Sequence, residues 1–424
     1  MSTVKKEMPK FLVKGGIPLK GTVKVSGSKN AALPIICATL LSRQKSILKN
    51  VPDIADIRSI IQILEALGAK IKFEKNTLEI DPKELKKKKI PEKLIEEMRA
   101  SILIISPLVH RFGEIKIPFP GGCVLGKRPV FAHTHALSEL GVKILDETRG
   151  IHIKAKQLIG KKIILPELSV TATENAIMAA VLAKGETEIR LAAAEPHVQD
   201  LCYFLQKMGA KISGIGTNNI KIKGVNSLKG AIHSITGDYL EAGTFAIAAV
   251  ATKGDLKIKG INPDHLDSFL QKLSEIGAKF EIGKNEIHIK PGKGLKATKS
   301  LKTAVYPGFA TDLQAPFTVL LTQAKGVSKI FETLFDGRLN YLFELEKMGA
   351  HVEFLNPHQA LIIGPRRLKA TPISSWDIRA GAAMVIAALI ADGETEIANV
   401  NYINRGYENL DKKLASLGAE IRQI

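Results

Sequence analysis

One phrase returns six times along this chain and constrains its fold more than any other feature. LEALGAKI ends at Ile71, LSELGVKI at Ile144, LQKMGAKI at Ile212, LSEIGAKF at Phe280, LEKMGAHV at Val352 and LASLGAEI at Ile421. Its glycines (Gly68, Gly141, Gly209, Gly277, Gly349 and Gly418) are spaced by 73, 68, 68, 72 and 69 residues. Each copy reads as a helix that closes on a glycine and passes into a strand with a β-branched residue. A second phrase shares the period, an apolar helix running into a turn and a strand, as in AIMAAVLA before GETEIRL or TFAIAAVA before GDLKIKG. Its turn glycines Gly113, Gly185, Gly254, Gly326 and Gly393 are 72, 69, 72 and 67 residues apart. Six units of about 70 residues therefore tile the chain, longer than the roughly 20–50 residues of common solenoids.

One helix in each unit is apolar nearly all round and must be covered on every side. The other, such as LDSFLQKLSEI, keeps a polar face for solvent. Sheets outside and apolar helices inside satisfy both. The expected class is α/β, with six repeats grouped as two similar lobes of three that join near 20–30 and 228–238. At 45% hydrophobic residues the chain buries a large core, which excludes a disordered or collagen-like class. The longest apolar runs, such as 380–391, are too short to span a bilayer, and the N-terminal residues carry no apolar signal region. Cys37, Cys123 and Cys202 form neither a disulfide framework nor a zinc motif.

The formal charge is +19, which favours anionic partners. Most of it is lysine, and runs such as KELKKKK read as solvated faces. Aromatics make up 5% of the chain and are not interleaved with the basic runs, which weakens single-strand nucleic-acid binding. Arginine is scarce, 13 residues against 48 lysines, so each position is informative. The starts of the apolar helices carry Lys29-Asn30, Arg99, Glu174, Asp238 with Glu241, Asp312, and Asp377 with Arg379. Those of the amphipathic helices carry Arg128-Pro129, Glu195-Pro196, Pro263, Arg338 and Arg405. Glu174 and Glu195 read as ordinary caps. An arginine beside a helix N-terminus opposes the local dipole by roughly 0.3–1 kcal/mol, so repeated instances call for an anion held by N–H groups and guanidinium forks. Surface ion pairs are the plainer explanation for any single one. The mixture with Asp312 and Asp377 would repel a nucleic-acid backbone and suits a small anionic substrate that needs a base.

The segment PFPGGCVLGKRPV, 118–130, is too rich in proline and glycine for a helix or a central strand. It reads as a loop that presents Cys123 close to Lys127 and Arg128. Neighbouring cations lower a thiol pKa and make it a workable acid, base or nucleophile. Cys37 and Cys202 sit in apolar helical phrases and read as buried and inert. Asp312, after YPGFAT, is either a first-turn helix residue or a general base toward a hydroxyl. Lys29-Asn30 follows KVSGS at a strand-to-helix turn that does not match the Walker pattern.

SGSKNAALPI, MRASILIISPLVHRFG, PGGCVLGKRPV, ATDLQAP and INRGYE, in this order over nearly the whole chain, resemble the UDP-N-acetylglucosamine 1-carboxyvinyltransferases, also called UDP-N-acetylglucosamine enolpyruvyl transferases. The resemblance implies two inside-out α/β domains, each of three βαβαββ units, with one lobe of residues 29–236 and the other of 1–28 plus 237–424. It implies a cytoplasmic enzyme of the first committed step of peptidoglycan synthesis. Enolpyruvate passes from phosphoenolpyruvate to the 3′-hydroxyl of UDP-N-acetylglucosamine through a tetrahedral ketal, with no metal or organic cofactor. Partners would be those two small molecules, with no nucleic acid or membrane, in a monomer or weak oligomer. By the same resemblance Cys123 is the acid that protonates the methylene carbon and the site alkylated by fosfomycin. Lys29, Arg128 and Arg405 bind the phosphate, Arg338 and Arg379 handle the carboxylate, and Asn30, also counted in the phosphoenolpyruvate site, orients the sugar or the intermediate. Asp312 is the base at the 3′-hydroxyl and Asp377 assists near the reacting centre. Arg99, Arg128, Pro129, Val130, Phe131, Ala132, Ser169, Val170 and Leu334 contribute to the nucleotide-sugar site, together with Asn30 and Asp312.

Three positions depart from the family pattern. Phe131 replaces a frequent Asp, Glu167 a common Lys and Ala194 a frequent Arg, which implies weaker UDP binding, or replacement of those contacts by nearby lysines, rather than a different reaction. Two other readings compete. One is the sister class that uses shikimate 3-phosphate, against which GGCVLGKRP argues; the other is a non-catalytic nucleic-acid clamp that uses the net charge alone.

Overall fold

The computed structural model describes residues 9–88, 90–121, 129–146, 148 and 150–424. Its strands form six sheets, one for each repeat of the sequence. All six phrase glycines adopt positive φ, between +87° and +105°, the left-handed geometry that lets a helix end and its chain turn into a strand.

The chain divides into two compact units. The first is built from 27–121 and 129–236. Its helices are α1 (Lys29–Ala38), α2 (Ala55–Ala66), α3 (Glu92–Glu96), α4 (Ile105–Phe112), α5 (Phe131–Glu139), α6 (Val170–Ala180) and α7 (Pro196–Lys207), with a 3₁₀ segment Arg99–Ile104 leading into α4. The second joins residues up to Ser26 with Gly237–Ile424. It contains α8 (Tyr239–Ala251), α9 (Asp267–Glu275), α10 (Thr311–Thr322), α11 (Leu342–Lys347), α12 (Ile378–Ile390), α13 (Asn401–Asn404) and α14 (Leu410–Ser416).

Burial separates the helices as their sequences require. Residues 239–249 of α8, 313–322 of α10 and 379–389 of α12 are all buried, and these three helices pack on one another. In contrast α9 buries only Phe269, Leu270 and Leu273, and α14 only Leu410 and Leu414. The sheets cover the helical cores with one face and turn the other outward. Asn219–Lys223 and Asp255–Lys259 each bury an Ile or Leu at alternate positions and expose lysines between them. Part of the lysine excess thus lies on the outer faces of the sheets.

Pairing at the ends explains why the second unit is discontinuous. Phe11–Lys14 lies antiparallel between Glu394–Ala398 and Glu420–Gln423, and Lys20–Lys24 runs parallel to Asp255–Lys259. Conversely, Ile232–Ser234 completes the first unit by pairing parallel with Ser46–Lys49. The chain leaves one unit at Ser26 and returns at Gly237. Ser28 N donates to Thr236 O at 2.7 Å, and Asp238 N to Ser26 O at 2.9 Å.

The glycine at each passage has the same steric role. A methyl group at Gly27 would overlap the carbonyl oxygen of Asn50, and one at Gly237 that of Gly260. Gly237→Ala is expected to cost about 2 kcal/mol or more and to lower the thermal unfolding midpoint by several degrees. Gly292→Ala, where nothing lies within 4 Å, is expected to leave the midpoint unchanged in the same measurement.

Candidate active site

In the second unit, three of the expected residues meet around one carboxylate. Asp312 is the second residue of α10, where the helix N-terminus favours an anion. Arg338 Nη2 donates to its Oδ1 at 2.8 Å, and Arg379 Nε to its Oδ2 at 3.0 Å. Both guanidinium side chains are almost fully buried, 3% and 5% exposed, against 27% for Asp312. Burial opposes ionisation of Asp312, but Arg379 and Arg338 outweigh it and hold the carboxyl well below the usual carboxylate range. Asp377 is the N-cap of α12, accepting from the backbone N–H groups of Arg379 (2.7 Å) and Ala380 (2.9 Å). It fixes the start of the helix that carries Arg379.

Around this cluster stand residues that the sequence reading passed over. Glu332, buried directly after the strand Ala324–Phe331, accepts from Thr311 Oγ1 at 2.8 Å and from the Leu334 backbone at 2.8 Å. It ties the residue before Asp312 to the turn that bears Leu334. Tyr407, two residues after Arg405, lies beneath Arg379, with the guanidinium carbon 5.1 Å from the ring centroid.

In the first unit, Lys29 opens α1, with Ser28 as N-cap. Its ammonium donates to Asp56 Oδ2 at 2.8 Å, and the two side chains are 12% and 6% exposed. Asp56, in the first turn of α2, is the counter-ion that a lysine at a helix start requires. Its sequence signal was only a first-turn Asp in VPDIADIRS. Asn30 is half-buried on the same turn. Arg99 begins the 3₁₀ segment and donates from Nη2 to Pro129 O at 2.9 Å. Val130 and Phe131 lead into α5, followed by buried Ala132, while Ser169 and Val170 lead into α6. These two helix starts are joined by His133 Nε2 and Thr171 Oγ1, 2.8 Å apart. Burial, with Arg99 nearby, pushes the His133 imidazole down to about 3, so it is neutral.

Several expectations change. Arg405 does not start a helix: it caps the C-terminus of α13, where a cation is locally favoured, and α14 begins only at Leu410. Arg338 sits in a turn ahead of α11 rather than in its first turn. Glu174 is no cap. It lies one turn inside α6, 1% exposed, because that helix begins at Val170. Cys37 and Cys202 are buried on α1 and α7, as their sequences implied. Burial, with Glu174 nearby, pushes the Cys202 thiol up to about 12. Cys123 and Arg128 lie outside the described residues. Of the departures, Phe131 is 61% exposed with its ring tilted against His135, Glu167 is exposed, and Ala194 is buried.

Two outcomes test these assignments. Asp56→Ala, which strands the Lys29 ammonium, is expected to cost about 3 kcal/mol in denaturant unfolding, and Asp56→Asn less. For Glu174, burial and then Glu195 hold the carboxyl well above its ordinary value. Its stabilising contribution is full below about pH 4.3 and is lost as pH rises through the folded value. Glu174→Gln is therefore expected to gain in melting temperature over the parent progressively from pH 5 to pH 9.

Comparison with known proteins places this geometry. A family model described as EPSP synthase (3-phosphoshikimate 1-carboxyvinyltransferase) matches residues 13–414. The UDP-N-acetylglucosamine 1-carboxyvinyltransferase of Halothermothrix orenii is 44% identical over 417 residues, 98% of this chain and 100% of that one. The protein of the same name from Methylacidiphilum infernorum is also 44% identical, covering 98% of this chain and 99% of its own. Among solved structures, the enolpyruvyl transferase NikO from Streptomyces tendae aligns with TM-score 0.89 at 24% identity, over 99% of each chain. EPSP synthase from Acinetobacter baumannii aligns with TM-score 0.75 at 19% identity, over 98% of this chain and 100% of its own. The fold is that of the enolpyruvyl transferases, two inside-out α/β domains built from six repeats. With relatives of this identity matched end to end, the chain belongs to the UDP-N-acetylglucosamine 1-carboxyvinyltransferase family.

Proposed function

We propose that this chain transfers the enolpyruvyl group of phosphoenolpyruvate to the 3′-hydroxyl of UDP-N-acetylglucosamine, releasing phosphate, as a cytoplasmic step of peptidoglycan synthesis. The observation that carries the reading is the buried arginine pair around Asp312, in a chain 44% identical to enzymes of that name. Two guanidinium groups set side by side match a carboxylate, and a carboxylate beside them can take a hydroxyl proton.

In this reading Arg338 and Arg379 hold the carboxylate of phosphoenolpyruvate. Lys29, Arg128 and Arg405 hold its phosphate, where cations gain most as charge develops on the leaving group. The hydroxyl proton passes to Asp312, and the oxygen's electron pair forms the bond to the enol carbon C2. The double-bond pair takes a proton at C3 from the Cys123 thiol, giving the tetrahedral ketal. A C3 proton then returns to the Cys123 thiolate as the C–H pair forms the new double bond and the bond from C2 to the phosphate oxygen breaks, releasing phosphate. Asp377 serves by fixing Arg379. Asn30, Arg99, Pro129, Val130, Phe131, Ala132, Ser169, Val170 and Leu334 serve the nucleotide sugar, with looser UDP contacts at Phe131, Glu167 and Ala194. Fosfomycin alkylates Cys123.

The description of the matching family model favours one other acceptor, shikimate 3-phosphate. Phosphate release from phosphoenolpyruvate, measured with each acceptor, decides between them. Turnover is expected with UDP-N-acetylglucosamine alone, and turnover with shikimate 3-phosphate alone overturns the assignment. Cys123→Ala is expected to abolish turnover, while Cys123→Asp keeps part of it and resists fosfomycin. A fully active, drug-sensitive Cys123→Ala protein removes the thiol from the mechanism.

A further inference from the structure

The arginine pair already holds a carboxylate, and that carboxylate belongs to the chain. Arg338 and Arg379 direct one donor each to the two oxygens of Asp312, the arrangement that a bound carboxylic acid would adopt. The surroundings are acidic as well. Asp377 and Glu332 add negative charge around Arg338, and Asp238 around Arg379, so the two cations face four carboxylates before any substrate arrives. One donor remains over: Arg379 Nη1 is buried and makes no hydrogen bond among the described residues. A base gripped by two guanidinium groups is a poor base, since its proton affinity is suppressed by the same contacts.

We propose that Asp312 is an internal stand-in for the substrate carboxylate: it occupies the Arg338–Arg379 cradle in the free chain, and the enolpyruvate carboxylate displaces it, freeing it to accept the hydroxyl proton. This rests on the functional reading above and adds to it an order of events. The incoming carboxylate takes the guanidinium donors, including Nη1 of Arg379. Asp312 stays at the N-terminus of α10 with its charge no longer neutralised by the pair, and its affinity for a proton rises. The same exchange keeps the buried arginines paired in both states, so neither state strands a guanidinium charge. The proton removed from the acceptor oxygen resides on Asp312 while the oxygen's electron pair bonds to the enol carbon. No base is released until the electrophile is seated.

A competitor can be removed, and the consequence runs against the usual effect of mutating a site residue. Asp312→Asn keeps the side-chain shape and removes the competing charge. With UDP-N-acetylglucosamine lacking its 3′-hydroxyl saturating, so that no transfer occurs, calorimetric titration of phosphoenolpyruvate is expected to give at least fivefold tighter binding to Asp312→Asn than to the parent, while phosphate release with the intact acceptor falls at least a hundredfold. Vinyl phosphate, which lacks the carboxylate, controls for the general gain in anion affinity and is expected to change by less than twofold. Unchanged or weaker phosphoenolpyruvate binding overturns the proposal, and so does an equal gain for vinyl phosphate. Asp312→Ser, with circular dichroism to check folding, provides the same comparison if the Asn variant does not fold. The two readings fail separately. A parent protein that binds phosphoenolpyruvate and releases phosphate, alongside an Asn variant with no gain in affinity, sinks only the exchange. A parent that does not bind phosphoenolpyruvate sinks both.

Discussion

An apolar helix with no polar face cannot meet water, and the architecture of this chain follows from that constraint. Each of α8, α10 and α12 is buried over three turns, and each repeat supplies a sheet whose inner face covers the bundle. Burial of this extent at about 25 cal/mol per Å² supplies the main stabilising term, against the entropy of ordering a long chain. The sheets must then be polar outside, which is where the alternating lysines fall. The net charge of +19, which favours anionic partners, comes in part from these outer sheet faces.

The same constraint concentrates chemistry at helix starts. A core helix most readily carries charged residues where its backbone N–H groups already need partners, in the first turn. Asp238, Asp312 and Asp377 stand there, and so do Lys29 and Arg379. Carboxylates at these positions are self-explanatory. Cations are not, and the structure supplies each with a carboxylate: Asp56 for Lys29, Asp312 for Arg338 and Arg379. These cations thus come with internal partners, which lets them be buried.

Glu174 shows what happens when a carboxyl lies one turn deeper. Inside α6 it has no N–H groups to accept from, and desolvation raises its proton affinity instead. It also raises the thiols of Cys37 and Cys202, which are already disfavoured as thiolates by burial. Those two cysteines are packing residues for a physical reason, whereas Cys123 follows PFPGG in a segment whose composition resists packing.

How much was legible depended on range. The periodic glycines, the two helix types and their order are local properties, and six positive-φ glycines and six sheets match them. Lys29, Asp312 and Arg379 stand out because each breaks or uses a rule within one helical turn, and Arg338 because arginine is scarce in this chain. Arg405 was misplaced because a four-residue helix, α13, has no periodic signature to announce its end. Asp56 and Glu332 went unseen because a lone acidic residue looks the same whether it faces solvent or a buried cation. By itself the sequence determined which segments must be buried and where chains must turn, since hydrophobic period and left-handed glycine act over a few residues. Only the tertiary structure decided which charge meets which. An ion pair joins residues 26 or 67 positions apart, as Asp312 does with Arg338 and Arg379, and such a distance closes only when the helices that carry them have packed.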